Sequence, residues 1–391
     1  MLDASAKIFQ GNTGHKLKPA WTLVMSIHGA ISLAAIALLA LMSVASAADV
    51  NIAVAGPMTG SNAALGAQMR DGAAAAVDDL NASGLLPGTK VVLSVADDAC
   101  DPKQAVVVAN RLASDQVKLV VGHFCSSSSI PASNVYDEAQ LIQISPGSTN
   151  PALTERGIKS VFRICGRDDQ QGVVAAEYIR RHFPNTKIAV LDDRSTAGKG
   201  IADVVAAHLR EVGISDVKRQ SYVAGEKDYM ALVSRMKADG IKLAYIGGYY
   251  NEIGLIVRQA SEAGAGMTVM ANDPLMTHDF SMIAGKAGNG TLFTFMPDPT
   301  RNAEAASVVA RLKASNRSSE GYSLYAYAAV QAWAKAAKRA GTFASSKVAA
   351  ALRSQPIDTV IGAVRFDAKG DNSAPGFIVY RWQDNIVEQA E

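Results

Sequence analysis

From residue 50 onward, short runs of Val, Ile and Leu alternate with amphipathic helical stretches, and this leaves few architectures open. The runs 50–56, 90–97, 117–124 and 142–145 read as strands, with helices at 63–80, 102–114 and 130–140 between them. After Gly157 the pattern resumes, with strands at 160–164, 187–191, 215–222, 243–247 and 268–270 and helices at 170–182, 200–212, 229–238 and 252–263. Strands that are apolar throughout, each followed by a helix, predict parallel sheets covered on both faces. Two such sheets are expected, meeting near Gly166. Beyond them, 303–314 and 323–340 read as helices, and 360–366 and 377–382 as strands. A closing section of that kind returns to the first lobe and crosses again, giving two doubly wound α/β lobes on a multi-crossover hinge.

The first 47 residues obey different rules. Lys7, Lys16 and Lys18 precede an uncharged apolar run, 31–44, and Ala45-Ser46-Ala47 follows it. A basic region, a short apolar core and small residues at the cleavage positions make a secretory signal peptide, with cleavage expected after Ala47. Its removal takes away three lysines and one aspartate, leaving 35 basic and 35 acidic residues. A neutral chain has no global field for nucleic acid or anionic lipid. Export also makes a disulfide expected from the three cysteines, Cys100, Cys125 and Cys165. Three pairings are open. Cys100–Cys125 is favoured because each ends a predicted strand and those strands are expected to be neighbours; Cys165 reads as a buried small apolar residue.

In open parallel sheets, ligands sit beyond the strands' carboxyl ends. Four loops lie there. Gly122-His123-Phe124-Cys125 runs into four serines, Ser126 to Ser129, more hydroxyls than one helix cap needs, which suits an anion. Ser145 to Pro151 includes Gly147, Ser148 and Thr149. Asp273 follows the strand 268–270, and Gly247-Gly248-Tyr249-Tyr250 offers aromatic walls. No G-x-S-x-G, H-E-x-x-H or P-loop occurs, and Gly264-Ala265-Gly266 precedes a strand instead of following one. No catalytic residue, metal or cofactor is expected. His123 beside Cys125 suits a base and a nucleophile only if that thiol is free.

Residues 97–106 (Asp97-Asp98-Ala99-Cys100-Asp101-Pro102 onward), 122–128, 224–228 and 247–249 carry a family resemblance. From about Ala48 to its end the chain resembles periplasmic leucine/isoleucine/valine-binding proteins of ABC transporters. The resemblance implies Rossmann-like lobes of the type I periplasmic binding protein kind, 48–167 with 297–376 and 168–296 with 377–391. It implies a monomer that captures a free amino acid and hands it to inner-membrane permease subunits, and it agrees with Cys100–Cys125. By position, Ser126 would bind the ligand carboxylate, Thr149 both carboxylate and ammonium, and the Gly147 carbonyl the ammonium. Asp273 stands where the family has a glutamate that pairs with the ammonium. Tyr249 and Tyr322 match aromatic pocket positions, the second a Phe in leucine-type members. Leu65 and Ala197 replace aromatics, whereas Phe124 replaces a common leucine, so the chemistry of the ligand's side chain is where this chain departs. With Ser148 and Cys125 these residues make up the expected site. The same fold also serves sensing domains of signalling and chemotaxis systems, the rival function for such a chain.

Overall fold

The computed structural model describes residues 48–374 and 376–390. The signal peptide expected over 1–47 lies outside the described residues. The chain enters β1 (Ala48–Gly56), then α1 (Ala63–Ser83), β2 (Thr89–Asp97), α2 (Pro102–Ser114), β3 (Leu119–Gly122), α3 (Ser126–Glu138), β4 (Ile142–Ser145) and β5 (Val161–Arg163). These five strands form one sheet in the order β2-β1-β3-β4-β5, every pair parallel. Every residue of β3 and β4 is buried, whereas the edge strand β2 leaves Val92 and Val95 exposed. A central strand covered on both faces has no polar side, so its sequence runs apolar instead of alternating.

The second sheet follows α4 (Asp168–His182). It is built from β6 (Ile188–Asp192), α5 (Thr196–Glu211), β7 (Val217–Ser221), α6 (Met230–Ala238), β8 (Leu243–Gly247), α7 (Tyr250–Glu262), β9 (Thr268–Ala271), α8 (His278–Ala284) and β10 (Leu292–Phe295). The chain then runs through α9 (Ala306–Ala314), α10 (Ser323–Ala340), α11 (Ser345–Ser354), β11 (Ile357–Thr359) and β12 (Gly362–Val364) before β13 (Ile378–Gln383) and β14 (Ile386–Gln389). The order is β14-β13-β10-β9-β8-β6-β7, with β13 and β14 added antiparallel at one edge. Both sheets carry helices, as the alternation predicts.

Helix α10 packs on α1 and over β3, so the late helical section covers the first sheet. That contact is close enough to require glycine. A Cβ on Gly72 would sit 1.8 Å from the Ser323 carbonyl oxygen. The rest of the interface is alanine-rich, and Trp333 is fully buried beside it. The fit sets where Tyr322, at the head of α10, points.

Three local expectations change. Residues 360–366 are not one strand: β11 and β12 pair as a hairpin that turns at Val360-Ile361, and Gly362 takes φ 94° after it. The strands that carry Cys100 and Cys125 are not neighbours, because β1 lies between β2 and β3. The two cysteines are nonetheless bonded, with Cα atoms 5.5 Å apart, so the disulfide reaches past the end of β1. Finally β10, β14 and α8 carry no strong periodicity and emerge only from tertiary context.

Candidate functional site

The loops at the carboxyl ends of β3, β4, β6, β8 and β9 converge on the cleft between the two sheets. Helix α3 starts at Ser126 with no side chain capping it, which leaves its first-turn N–H groups without a side-chain acceptor. Ser126 is buried, and its hydroxyl accepts from the Asn150 N–H at 3.4 Å, tying the two loops of the first lobe. Thr149 is buried as well, and its carbonyl accepts from the Asp168 N–H at 3.0 Å.

The other serines hold the loops together. The His123 carbonyl accepts from Ser129 at 3.1 Å and Ser145 at 2.8 Å. The Ser148 hydroxyl lies 2.8 Å from the Phe124 carbonyl and 2.7 Å from the Ser129 hydroxyl, with one proton to place between them; its N–H donates to Ser145, and its carbonyl accepts from Arg163 at 3.0 Å. The polar groups of Ser148 are thus engaged within the protein. His123 is fully buried, with Nδ1 2.5 Å from Asp98 and Nε2 2.8 Å from Tyr136. With Cys125 in the disulfide, the base-and-nucleophile reading of this loop has no thiol to work with.

Gly147 matters for space. A Cβ there would lie 2.5 Å from the Phe124 ring, so the ring seats directly on the glycine. Phe124 also meets Tyr322 edge-to-face at 4.7 Å and Tyr249 at 6.4 Å. Leu65, in the first turn of α1, is fully buried in the same apolar cluster, and half-buried Ala197, in the first turn of α5, packs against it. Phe124, Tyr249 and Tyr322 thus form one aromatic group drawn from both sheets' loops and the head of α10.

Asp273 is 2% exposed. Gln171 donates to its Oδ1 at 3.0 Å, and the Tyr322 hydroxyl makes a short bond to its Oδ2. Burial raises its pKa, and these two donors oppose that rise. Tyr322 reaches from the helix packed on the first sheet to a carboxylate of the second, so one expected site residue holds another. Further bonds join the lobes at the rim. Asn150 donates to the Thr196 carbonyl at 3.0 Å, Tyr250 to the Ser61 carbonyl at 2.9 Å, and Asn251 to the same carbonyl. Gln68 of α1 donates to the Met276 carbonyl at 3.2 Å.

Sequence reasoning missed Asp168, Gln171 and Arg163. Arg163 is fully buried on β5 and bridges Asp371, Thr154 and the carbonyls of Ser148 and Asn150, so it pins the Thr149 loop to the crossover near Asp371. Asp168 reads in sequence as an ordinary acid at a helix start, yet it is 1% exposed. Burial pushes its carboxyl up to about 7, with the Asp273 charge adding to the rise and Thr149 and Arg163 opposing it. A buried free thiol, Cys165, lies beside the Ser148 carbonyl at 3.8 Å. Among the described residues no group of His, Cys, Asp and Glu is arranged to hold a metal ion.

The sequence model of a family described as periplasmic binding protein matches residues 49–385. An amino acid binding protein of Pseudomonas aeruginosa is 47% identical over 86% of this chain and 91% of its own length. A Leu/Ile/Val-binding protein homolog of Brucella suis is 43% identical over the same shares. Among solved structures, a leucine-binding protein of Thermotoga maritima superposes with a TM-score of 0.81 at 27% identity, covering 88% of this chain and 98% of that one. A branched-chain amino acid transporter substrate-binding protein of Streptococcus pneumoniae, in complex with isoleucine, gives 0.79 at 27% identity, with 88% and 99% covered. The fold they share is that of solute-binding proteins, not of enzymes. A family match over nearly all the described residues, with relatives this similar along most of their length, shows that the chain belongs to the periplasmic binding protein family.

Proposed function

We propose that this protein is the extracytoplasmic solute-binding component of an ABC transporter. It captures a free amino acid with a branched-chain or bulkier apolar side chain and delivers it to inner-membrane permease subunits. The observation that supports this reading is a buried carboxylate, Asp273, bonded to Tyr322, whose ring packs on Phe124, two residues before the uncapped helix start at Ser126. That polarity fits a zwitterion: its carboxylate meets hydroxyls and N–H groups, and its ammonium meets Asp273, Thr149 and the Gly147 carbonyl. The relatives' names agree, being those of amino acid and Leu/Ile/Val-binding proteins.

The apolar wall of Phe124, Tyr249, Tyr322, Leu65 and Ala197 would take the ligand's side chain. Lobes of 48–167 with 297–376 and 168–296 with 377–391 would close on it as a monomer, each adding contacts the open form lacks. Cleavage after Ala47 would release the mature protein into the periplasm, which suits a family match that begins at residue 49. Calorimetric titration with a panel of amino acids tests the reading. Tight binding of leucine or a bulkier apolar amino acid is expected, with no binding of the matching α-keto acid, which lacks the ammonium. Equal affinity for the keto acid would overturn it.

A further inference from the structure

Asp168 is the first residue of α4, and its neighbour Asp169 behaves as helix-start acids usually do. The Asp169 side chain is 47% exposed and pairs with Arg167 at 2.7 Å. Asp168 does neither. It is 1% exposed, and neither carboxylate oxygen has a partner that meets hydrogen-bond geometry, although the Thr149 hydroxyl lies close enough to hold its pKa down. Buried polar atoms are nearly always paired, and a buried carboxylate left unpaired is costly in its charged form.

The groups facing it make the charge harder to explain by structure alone. Asp273 acts on it from the loop after β9, Asp169 from its own helix, and Arg163 from β5. Tyr245 from β8, Tyr249 from the head of α7 and the Cys165 thiol from the crossover also feel its charge, and burial holds all three protonated. Arg163, the cation acting on Asp168, is bonded to Asp371, to Thr154 and to two carbonyls. On the α5 side a Cβ at Gly200 would lie 3.6 Å from Asp168 Oδ2, so that face is closed by backbone. Two buried carboxylates, Asp168 and Asp273, thus share one region with Thr149 between the loops, and the fixed cation nearby is engaged elsewhere.

We propose that Asp168 is a second carboxylate of the ammonium pocket, orienting the Thr149 hydroxyl toward the ligand nitrogen and giving up a proton when the ammonium group arrives. The proposal rests on the amino-acid reading above. Before binding, the proton sits on the Asp168 carboxyl and limits its repulsion with Asp273. The incoming ammonium replaces that proton as the compensating charge, and the proton leaves to solvent. No bond to the ligand forms or breaks. Asp168 acts through Thr149 and through its field, so it is a positioning residue.

Titration calorimetry with L-leucine, in buffers of differing ionisation enthalpy from pH 5.5 to 8.5, reads the proton directly. Close to one proton released per leucine is expected near pH 6, fading toward zero by pH 8.5, with Kd weakening about tenfold per pH unit below the midpoint. Asp168→Asn should release no proton at pH 6 and bind leucine more weakly with a flat pH profile. Thr149→Val, which removes the hydroxyl that holds the Asp168 pKa down, should move the midpoint to higher pH, a shift that a merely structural residue would not produce. Absence of proton release in the natural protein at pH 6, or an Asp168→Asn protein with unchanged release, overturns the proposal while leaving leucine binding intact. Failure of the natural protein to bind any amino acid instead overturns the amino-acid reading, and this proposal with it.

Discussion

The two faces of the cleft are built on opposite principles. The first-lobe face is neutral and finished. Ser129, Ser145 and Ser148 turn their hydroxyls to the His123 and Phe124 carbonyls of the first loop, Arg163 pins the second loop from behind, and the disulfide fixes the entry to α3. The second-lobe face is charged and incomplete. Asp273, Asp168 and Asp193 are all buried, and burial raises the pKa of each, to about 7 for Asp168 and about 6 for Asp193. On the proposed reading, the first face would hold the ligand carboxylate in loops that are already tied together. On the same reading, the second would gain most of its stabilisation when a cation arrives, so a ligand carrying both groups would favour the closed form in a way that neither half alone can.

Removing the charge from the second face should have the largest effect. Asp273→Ala is expected to weaken amino-acid binding by at least about 100-fold, because truncating one partner of a buried charge pair costs on the order of 3–5 kcal/mol. Calorimetry gives the affinity and circular dichroism checks that the chain still folds. A Kd within threefold of the natural value would move the ammonium site elsewhere and erase the contrast between the faces. The matching test on the first face is structural. Replacing Cys100 and Cys125 together by serine should lower unfolding free energy by roughly 3 kcal/mol on the loop-entropy account. Urea unfolding would show it; an unchanged midpoint would mean that the sheet, not the bond across the end of β1, sets the loop.

The same contrast explains what could be read from sequence. The first face was legible because its chemistry is local: consecutive serines after a strand announce themselves, and the fold follows from apolar strands alternating with helices. The second face depends on long-range placement. Helix starts are hard to read on both faces, with apolar periodicity beginning at 130, 200 and 252 instead of Ser126, Thr196 and Tyr250, because these first turns carry Ser, Gly and Tyr in place of an apolar stripe. Asp168 was hidden for a related reason. An acid at a helix N-terminus is ordinary, and only packing shows that this one is buried and within reach of the Asp273 charge. Tyr322 was placed in the pocket as an aromatic wall, but sequence cannot reveal that its hydroxyl meets Asp273.

That hydroxyl gives the next smaller effect. Asp273 is one methylene shorter than the glutamate expected at its position, and Tyr322 and Gln171 between them hold both of its oxygens. Tyr322→Phe keeps the ring and its 4.7 Å contact with Phe124 while removing the donor. A hydrogen bond to a charged group contributes about 1.5–3 kcal/mol, so affinity should fall roughly tenfold or more, with little change in thermal stability. Affinity equal to that of the natural protein would show that Gln171 alone orients the carboxylate.

The smallest effect should come from the rim, where the two lobes touch through water-accessible bonds. Half-buried Asn251 donates to the carbonyl of exposed Ser61, and Tyr250 donates to the same oxygen. In the open form both groups can bond to water, so closing exchanges one set of hydrogen bonds for another, and the net gain per bond is only about 0.5–1.5 kcal/mol. Asn251→Ala leaves Tyr250 to satisfy the carbonyl, which places the loss at the low end of that range, about threefold in Kd. Small-angle scattering of the ligand-free protein adds a second readout, since a weaker rim should shift the population toward the open form without touching the head-group contacts. If Asn251→Ala instead weakened binding as much as Asp273→Ala, closure would be driven from the rim, and the buried carboxylates would no longer account for the difference between the two faces.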